Sequence, residues 1–421
     1  MLFVALLVQK FGGTSVANIE AIENVADKVS REVQAGHKVA VVVSAMSGVT
    51  NQLIDYCNSI NDDFCDKEYD SVVASGEQIT SGLLALALHK RGVNARSWLG
   101  WQVPIVTDNS HRKARIVKIE IEGLKRHLEG GEVAIVAGFQ GISRETRRIS
   151  TLGRGGSDTS AVALAAALGA ERCDIYTDVK GVYTTDPRIV SKARKIDKIS
   201  YEEMLEMASV GAKVLQTRSV ELAMKQKVSV QVLSSFEDMI GSDLQGTQVV
   251  DEDEIMEKEV VSGVTYTKEE AKITLRNLPD IPGIAAQVFG PLADDDINVD
   301  MIVQNISGDN TVTDLTFTVP TTDLKRSREI LEQCRKDWGN ATIDYSESVV
   351  KISIVGIGMR SHAGVAKKMF STFAEKGINI QVISTSEIKV SVLIDAEYTE
   401  LALRALHTAY GLDVEEENFN G

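Results

Sequence analysis

Short apolar runs alternate with amphipathic helical patterns over residues 1–245. The runs 39–43, 133–137 and 174–176 predict buried strands, and stretches such as 19–34 and 82–91 predict helices between them. Parallel strands need long crossover connections, so this alternation favours a mostly parallel sheet with helices on both faces. The sequence therefore predicts a three-layer α/β domain whose ligands bind at the carboxyl ends of the strands.

The C-terminal part of the chain repeats itself with an offset of 81 residues, from Gly283 to Gly364. Asn298 and Asn379 each follow their glycine by 15 residues, and apolar strand patterns precede and follow both units. Each unit reads as strand, glycine turn, helix, asparagine turn and two strands. This order predicts two copies of a small α+β module with a βαββ, ferredoxin-like pattern.

An acidic stretch at residues 251–259 separates the two parts and has little apolar surface to bury. A chain of 421 residues is long enough for two or three domains. We predict a large α/β domain at 1–248, an acidic linker at 249–262, and modules at 263–340 and 341–421.

Composition excludes several classes of protein. A net charge of −15 without a compensating basic run disfavours nucleic acid and anionic membranes as partners. The four cysteines lack CxxC pairing and nearby histidines, which favours reduced thiols and disfavours a zinc site. Residues 1–8 lack the positive flank and cleavage site of a signal peptide, so we interpret them as a buried first strand. We expect a soluble, cytoplasmic protein without a membrane span.

The segment 151–160, TLGRGGSDTS, combines three glycines with both signs of charge and opens onto an alanine-rich helix pattern. Glycines let backbone N–H groups converge, and a helix start adds its positive dipole end, so the turn favours an anion. Arg154 offers a fork for a carboxylate or phosphate, and Asp158 a counter-charge for an ammonium group. A zwitterion such as a free amino acid fits both. The alternative is an ordinary glycine-rich turn.

The segment 10–15, KFGGTS, follows the first predicted strand and precedes a predicted helix. Lys10 and the two glycines suit a phosphate chain, although a solvated lysine is the alternative. The Walker A spacing is absent throughout the sequence, and Ser361 stands where a dinucleotide fingerprint needs its third glycine. A P-loop NTPase and a hydride-transfer enzyme are therefore disfavoured.

Three further segments carry polar side chains at strand-to-helix junctions or in loops. Ser44 and Thr50 are candidate substrate contacts or helix caps, and Glu77 is a candidate contact or a dipole-stabilising residue. The run 176–188 could enclose a nucleotide, with Tyr183 on the adenosine and Arg188 on phosphate, or it could be a surface turn.

Together these motifs supply anion turns, lysines, arginines and carboxylates around one sheet, which fits phosphoryl transfer. The sequence offers no GxSxG elbow, no HExxH motif and no cysteine in a nucleophile context.

The order of these motifs resembles that of the aspartokinases over essentially the whole chain, with a C-terminal half similar to tandem ACT domains. The matching segments are KFGGTS at 10–15, VVVSAMSGVTNQL at 41–53, SGEQ at 75–78, GFQG at 138–141, TLGRGGSDTSA at 151–161, YTDVKGVYTTDPR at 176–188 and SYEEMLEMASVGAKVLQTRSVE at 200–221.

This resemblance implies phosphorylation of the β-carboxylate of L-aspartate by ATP with Mg²⁺, as the entry to lysine, threonine and methionine synthesis. It implies Lys10 and Asp158 as catalytic residues. We assign no residue as a metal ligand. The residues implied to hold aspartate are Thr50, Glu77, Phe139, Arg154, Gly155, Gly156, Ser157 and Asp158. Those implied to hold ATP are Lys10, Phe11, Gly12, Gly13, Ser44, Thr177, Asp178, Tyr183, Thr184, Thr185, Asp186, Pro187, Arg188 and Lys213.

The resemblance also implies feedback inhibition by lysine, threonine or both at the C-terminal modules. The implied effector residues are Asn298, Val299, Asp300, Gln304, Val365, Ala366, Asn379, Ile380 and Ser386. A homo-oligomer, or association with a small regulatory subunit, is expected through these modules, and Met256 stands where some relatives start such a subunit.

Four residues depart from the family pattern. Lys180 stands where aspartate is common, Gln216-Thr217 replaces a frequent His-Pro, and Ala363 replaces a frequent proline. The rival interpretations are a kinase of the same fold acting on glutamate, acetylglutamate, carbamate or a nucleotide, and a non-catalytic amino-acid sensor.

Overall fold

The computed structural model describes residues 4–60, 65–212, 214–255, 260–306, 311–362 and 364–413. The predicted alternation of strands and helices is present in the first 250 residues. The strands of this part are β1 (Leu6–Phe11), β2 (Lys38–Val43), β3 (Ala95–Trp98), β4 (Ile105–Thr107), β5 (Ile116–Ile119), β6 (Val133–Ala137), β7 (Gln140–Ser143), β8 (Ile149–Thr151), β9 (Arg172–Thr177), β10 (Lys198–Ser200), β11 (Val230–Ser234) and β12 (Thr247–Val250). The helices are α1 (Ile19–Gln34), α2 (Val49–Ile60), α3 (Asp66–Val73), α4 (Ser75–Lys90), α5 (Glu122–Glu129), α6 (Gly156–Leu168), α7 (Tyr201–Ser209) and α8 (Thr217–Gln226).

Eight of these strands form one sheet in the order β10-β12-β11-β9-β1-β2-β6-β3. All neighbouring pairs are parallel except β11 with β12. Strand β2 is buried along nearly its whole length, as its run of apolar residues predicts for a central parallel strand. The prediction of a mostly parallel α/β sheet is confirmed.

Helices cover both faces of this sheet because successive side chains of a strand point to opposite sides. Val39, Val41 and Val43 pack in one core with residues of α1 and α4. Val42 points the other way, towards the start of α6, where a Cβ added to Gly138 would lie 3.0 Å from Val42 Cγ1 and from Ser157 Cβ. A second, four-stranded sheet has the order β5-β4-β7-β8.

The C-terminal part contains two four-stranded antiparallel sheets. Its strands are β13 (Gly263–Thr267), β14 (Glu270–Pro279), β15 (Asp300–Ile306), β16 (Val312–Pro320), β17 (Thr342–Ser346), β18 (Val349–Val355), β19 (Val382–Thr385) and β20 (Lys389–Asp395). Its helices are α9 (Ile284–Asp294), α10 (Leu324–Cys334), α11 (Val365–Glu375) and α12 (Thr399–Ala409). The two sheets have the orders β15-β16-β14-β17 and β13-β18-β20-β19, so the duplicated α+β module is confirmed.

Each sheet has a fourth strand from outside the repeated βαββ unit, and this divides the chain differently from the limits predicted at 263–340 and 341–421. Strand β13 pairs with β18, and β17 pairs with β14. An edge strand has unpaired backbone groups that another chain segment can pair with. The sequence pattern does not show which segment pairs there.

The chain divides into two units that cross these sequence limits as well. The first comprises Met1–Val182, Lys195–Ala208 and Lys213–Met256, and the second comprises Tyr183–Arg194, Ser209–Ala212 and Glu257–Gly421. Two short segments from the predicted α/β domain therefore belong to the second unit.

Helices α3 and α4 follow each other almost without a break, and together they have the length and apolar character of a membrane-spanning helix. No such segment was expected from the sequence. More than half of the most apolar window is buried inside the protein, where α4 packs against α1. A buried helix at the centre of a folded domain meets the same length and composition test.

Candidate functional site

A cavity of about 520 Å³ opens at the carboxyl ends of the parallel strands of the first unit. Parallel sheets place their ligand sites at this edge because the polar turns after the strands meet there. The lining residues are Lys10, Gly12, Gly13, Thr14, Ser44, Ala45, Met46, Ser47, Gly48, Thr50, Glu77, Phe139, Gly153, Arg154, Gly155, Gly156, Ser157, Asp158, Thr177, Asp178, Val214 and Gln216.

An ion pair between Lys10 and Asp158 lies at this cavity, with Lys10 Nζ 2.6 Å from Asp158 Oδ1. Lys10 belongs to β1 and Asp158 to the first turn of α6. Both side chains are only about one-tenth exposed. Lys10 lies across Gly12, where an added Cβ would be 3.2 Å from Nζ. A glycine here keeps the space beside the ammonium group open to a ligand.

The GRGGSD turn carries the start of α6 into the cavity. Gly155 adopts the left-handed conformation directly before the helix, with φ 71°. Gly156 packs so closely that an added Cβ would lie 2.9 Å from Phe139 Cδ2 and from Leu152 Cβ. The turn therefore presents backbone N–H groups and the exposed Arg154 beside the helix N-terminus, which is an arrangement that binds anions.

Glu77 is a buried carboxylate in the first turn of α4, only 3% exposed. Its Oε1 accepts a hydrogen bond from the Ala45 N–H at 3.0 Å, and its buried Oε2 lacks a hydrogen-bond partner among the described residues. Burial raises the pKa of Glu77 to about 7, while the Ala45 N–H acts in the opposite direction. A carboxylate oxygen without a partner at a cavity wall is free to accept a ligand donor.

Phe139 lines the cavity with a backbone that is rare for a bulky residue, at φ 65°. Ser160 Oγ accepts its N–H at 3.2 Å, and its carbonyl accepts the Leu152 N–H at 2.9 Å. These bonds hold a conformation that costs free energy and that is found preferentially at functional sites.

The resemblance implies that Phe11 contacts ATP, but Phe11 is not among the residues that line the cavity. Its side chain is fully buried and stacks on Tyr176 with ring centroids 4.5 Å apart, so it does not line the cavity. As the last residue of β1 it supports the lysine-bearing strand, and its carbonyl accepts the Ser44 N–H at 3.0 Å.

The remaining predicted aspartate residues all line the cavity, as do Gly12, Gly13, Ser44, Thr177 and Asp178 from the predicted ATP set. Sequence reasoning missed eight lining residues: Thr14, Ala45, Met46, Ser47, Gly48, Gly153, Val214 and Gln216. Most of them lie inside the motifs already singled out, so the signal was present but was assigned to neighbouring positions. Lys213 lies outside the described residues, as do Met256 and Ala363.

The predicted nucleotide residues 183–188 belong to the second unit. Thr184 and Thr185 are buried there, and Thr184 Oγ1 lies 2.9 Å from His407 Nε2. The Thr184 hydroxyl therefore has a partner inside the second unit, and the assignment of both threonines to the nucleotide stays a prediction. Asp186 accepts hydrogen bonds from Arg188 and from the Tyr266 hydroxyl, and the Arg188 guanidinium keeps the pKa of Asp186 below its usual value. Tyr183 is half-buried, and Pro187 is exposed.

The predicted effector residues lie on the two C-terminal sheets, on the turns that precede or follow their strands, and at the start of α11. Asp300, the first residue of β15, lies 2.8 Å from Lys351 Nζ, and Lys351 is buried on β18 and also pairs with Glu270. The exposed members are Asn298, Asp300, Gln304, Asn379 and Ser386, and the half-buried members are Val299, Val365, Ala366 and Ile380. Strands β15 and β19 pack against each other around Met301 and Val382.

The fold and the site define an amino acid kinase domain followed by two ACT domains. Residues 5–234 match the model of the amino acid kinase family, and residues 273–338 and 352–410 match models of the ACT domain. The aspartate kinase of Pseudomonas putida is 53% identical over 97% of this chain and 98% of that protein. The aspartokinase of Mycolicibacterium smegmatis is 44% identical over 98% of each. This chain belongs to the aspartate kinase family and is an enzyme.

Solved structures agree with this assignment. Escherichia coli aspartokinase III in complex with aspartate and ADP is 27% identical, with a TM-score of 0.78, over 96% of this chain and 99% of that chain. The same protein in complex with lysine and aspartate gives a TM-score of 0.75 at 28% identity, over the same shares of the two chains.

Proposed function

We propose that this enzyme transfers the γ-phosphoryl group of ATP to the β-carboxylate of L-aspartate, giving 4-phospho-L-aspartate and ADP. An oxygen of the β-carboxylate forms the new bond to phosphorus, and the bond to the β-phosphate oxygen of ATP breaks. The acceptor is already an anion, so the reaction needs neither a protein nucleophile nor a general base. The enzyme's task is to bring two anions together and to neutralise the charge of the group in transfer.

The observation that carries this proposal is the Lys10–Asp158 pair at the N-terminus of α6, with Arg154 beside it. Both signs of charge on one anion-binding turn suit a zwitterion better than a simple phosphate. We assign Arg154 to the α-carboxylate and Asp158 to the α-ammonium group. Thr50, Glu77, Phe139 and Ser157 complete the aspartate pocket.

Lys10 is proposed to stabilise the phosphoryl group during transfer. Its ammonium group lies at the end of β1 beside Gly12, where a phosphate chain could approach without meeting a side chain. When aspartate arrives, Asp158 gains the ligand's ammonium as a second partner, which leaves Lys10 able to turn towards phosphate. Gly13, Ser44, Thr177 and Asp178 are proposed to face the phosphates as well.

Mg²⁺ fits this site only as a companion of the nucleotide. No three His, Cys, Asp or Glu side chains cluster into a cation site in the described parts of the chain. Mg²⁺ typically keeps several waters and binds through substrate phosphates with one or two carboxylates. Asp178 is the carboxylate we expect to contribute, and the ion would supply charge neutralisation on the phosphates. Lys213 and the segment from Tyr183 to Arg188 remain proposed ATP residues on the strength of the resemblance alone.

A hydroxamate assay of acyl phosphate formation tests the proposal. We expect turnover with L-aspartate, and at least a hundredfold lower kcat/KM with L-glutamate, because an extra methylene displaces the acceptor oxygen from the phosphoryl group. Succinate, which keeps both carboxylates but lacks the ammonium group, separates the role of Asp158 from general anion binding. Preferred turnover of glutamate would overturn the substrate assignment.

We propose in addition that the ACT domains bind lysine, threonine or both as feedback inhibitors. The support is the duplicated module and the lysine complex of the E. coli relative. Such inhibition suits an enzyme at the entry to lysine, threonine and methionine synthesis, acting in the cytoplasm as a homo-oligomer or with a small regulatory subunit. Titrating the two amino acids singly and jointly against activity decides it, and unchanged activity at millimolar concentrations of both would refute it.

A further inference from the structure

A fully buried carboxylate lies beneath the GRGGSD turn, outside the residues assigned to the reaction. Asp70 is on α3 and is 0% exposed. Thr151 Oγ1 donates to Asp70 Oδ1 at 2.5 Å, and the Arg112 N–H donates to the carboxylate at 3.1 Å. His111 Nδ1 lies 2.7 Å from Oδ2 and donates in the tautomer that carries its proton there. Three residues distant from Asp70 in sequence therefore converge on one side chain.

Two of these partners are joined to the turn itself. Thr151 ends β8 and lies two residues before Gly153, the first residue of the turn, and its carbonyl accepts the Ala114 N–H at 2.9 Å. Arg112 takes a left-handed backbone, φ 64°, and its carbonyl would lie 2.9 Å from a Cβ added to Gly153. The chain around Arg112 therefore packs directly against Gly153. Asp70 links this chain to β8 through its hydrogen bonds with Arg112 and Thr151.

A second charged side chain holds the same part of the backbone. Arg218 on α8 donates through Nη1 to the Leu152 carbonyl and through Nη2 to the Ala114 carbonyl, each at 2.7 Å. The backbone that leads into Gly153 and the chain at 112–114 are thus held by one buried anion and one half-buried cation, while Arg154 itself is exposed to the cavity.

We propose that Asp70 is a positioning residue for aspartate binding, which acts through Thr151 and Arg112 to set the direction in which the turn presents Arg154. This inference rests on the proposed assignment of that turn to aspartate. Burying a carboxylate is costly unless donors satisfy it, and apolar packing would serve stability alone at lower cost. A guanidinium fork that binds a carboxylate needs its backbone fixed closely, because two parallel hydrogen bonds tolerate little displacement.

Thr151→Val tests the proposal with almost no change in side-chain volume. The variant removes one donor from Asp70 and leaves the Arg112 and His111 contacts in place. We expect KM for aspartate to rise about tenfold, as the loss of a hydrogen bond to a charged group predicts, with KM for ATP within about twofold of its original value. Thr151→Ser keeps the hydroxyl and is expected to restore KM for aspartate to within about twofold.

Asp70→Asn gives a second test, with Asp66→Asn as its matched control. Asp66 lies on the same helix but is exposed, and its carboxylate lies 3.5 Å from the side chain of Arg112. We expect Asp70→Asn to raise KM for aspartate at least as much as Thr151→Val, because the amide cannot accept all the donors that the carboxylate accepts. Asp66→Asn is expected to leave both KM values unchanged.

Arg154→Ala separates failure of this inference from failure of the proposed function. If Arg154→Ala weakens aspartate binding while Thr151→Val leaves KM unchanged, the role of Asp70 is refuted and the assignment of the turn stands. If neither variant changes KM for aspartate, the assignment of the turn fails as well. An equal rise in both KM values for Thr151→Val, or no rescue by serine, would mark a general loss of structure and would also refute the proposal.

Discussion

The raised pKa of Glu77 makes the stability of the first unit depend on pH in a direction that can be calculated. In the folded chain burial moves this pKa from 4.5 to about 7. The folded state therefore binds a proton between these values that the unfolded state has released. The stabilisation is fully present below pH 4.5 and is lost as pH rises through 7. A shift of this size corresponds to about 3 kcal/mol lost from the free energy of unfolding across that interval.

Glu77→Gln removes this pH dependence while keeping an oxygen to accept the Ala45 N–H. We expect the melting temperature of the variant, relative to the unchanged protein, to be roughly 6–12 °C higher at pH 8 than at pH 5. Unfolding of the first unit is measured without aspartate, by the fluorescence of Trp98 and Trp101. A Trp338→Phe background removes the tryptophan of the second unit from the signal. The same substitution at exposed Glu20 controls for the loss of a charge. An offset that is equal at both pH values would refute the reasoning.

Two further predictions concern close packing at the turn and a buried lysine. Gly156→Ala places a methyl group 2.9 Å from Phe139 Cδ2. We therefore expect a loss of about 1–3 kcal/mol in the free energy of unfolding and a higher KM for aspartate. Unchanged values would contradict the packing described. Lys351→Met leaves the buried Glu270 without its cation and is expected to cost about 3 kcal/mol in the second unit, measured by thermal unfolding. Adding Glu270→Leu should recover most of that loss, and no recovery would contradict the pairing.

Elements with strong periodicity could be predicted from the sequence because local pattern and burial agree in them. The limits of α1 match the predicted helix at 19–34, and β2 and β6 cover the apolar runs that were expected to be buried strands. The 81-residue repeat predicted both C-terminal sheets. It did not predict that β13 pairs with β18, because alternation identifies a strand but not its partner.

The candidate site could be predicted where its residues lie in glycine-rich turns, since those turns carry the signal themselves. Asp70 and Arg218 gave no such signal. Each is a single charged residue in a helix, and its role depends on contacts with β8 and with the chain around Arg112 that only the folded protein creates. The resemblance predicts Thr184 as a nucleotide contact, and only the folded protein shows that its hydroxyl also lies beside His407.

Lys10 is proposed to stabilise the phosphoryl group in transfer, and the turnover of Lys10→Ala tests this role most directly. Removing one preorganised cation from such a site typically lowers kcat by about 10²–10³-fold. In a hydroxamate assay at saturating aspartate and ATP, we predict a fall of that size, while calorimetry detects binding of lysine or threonine at the ACT domains as in the unchanged protein. Unchanged turnover by Lys10→Ala would contradict the account.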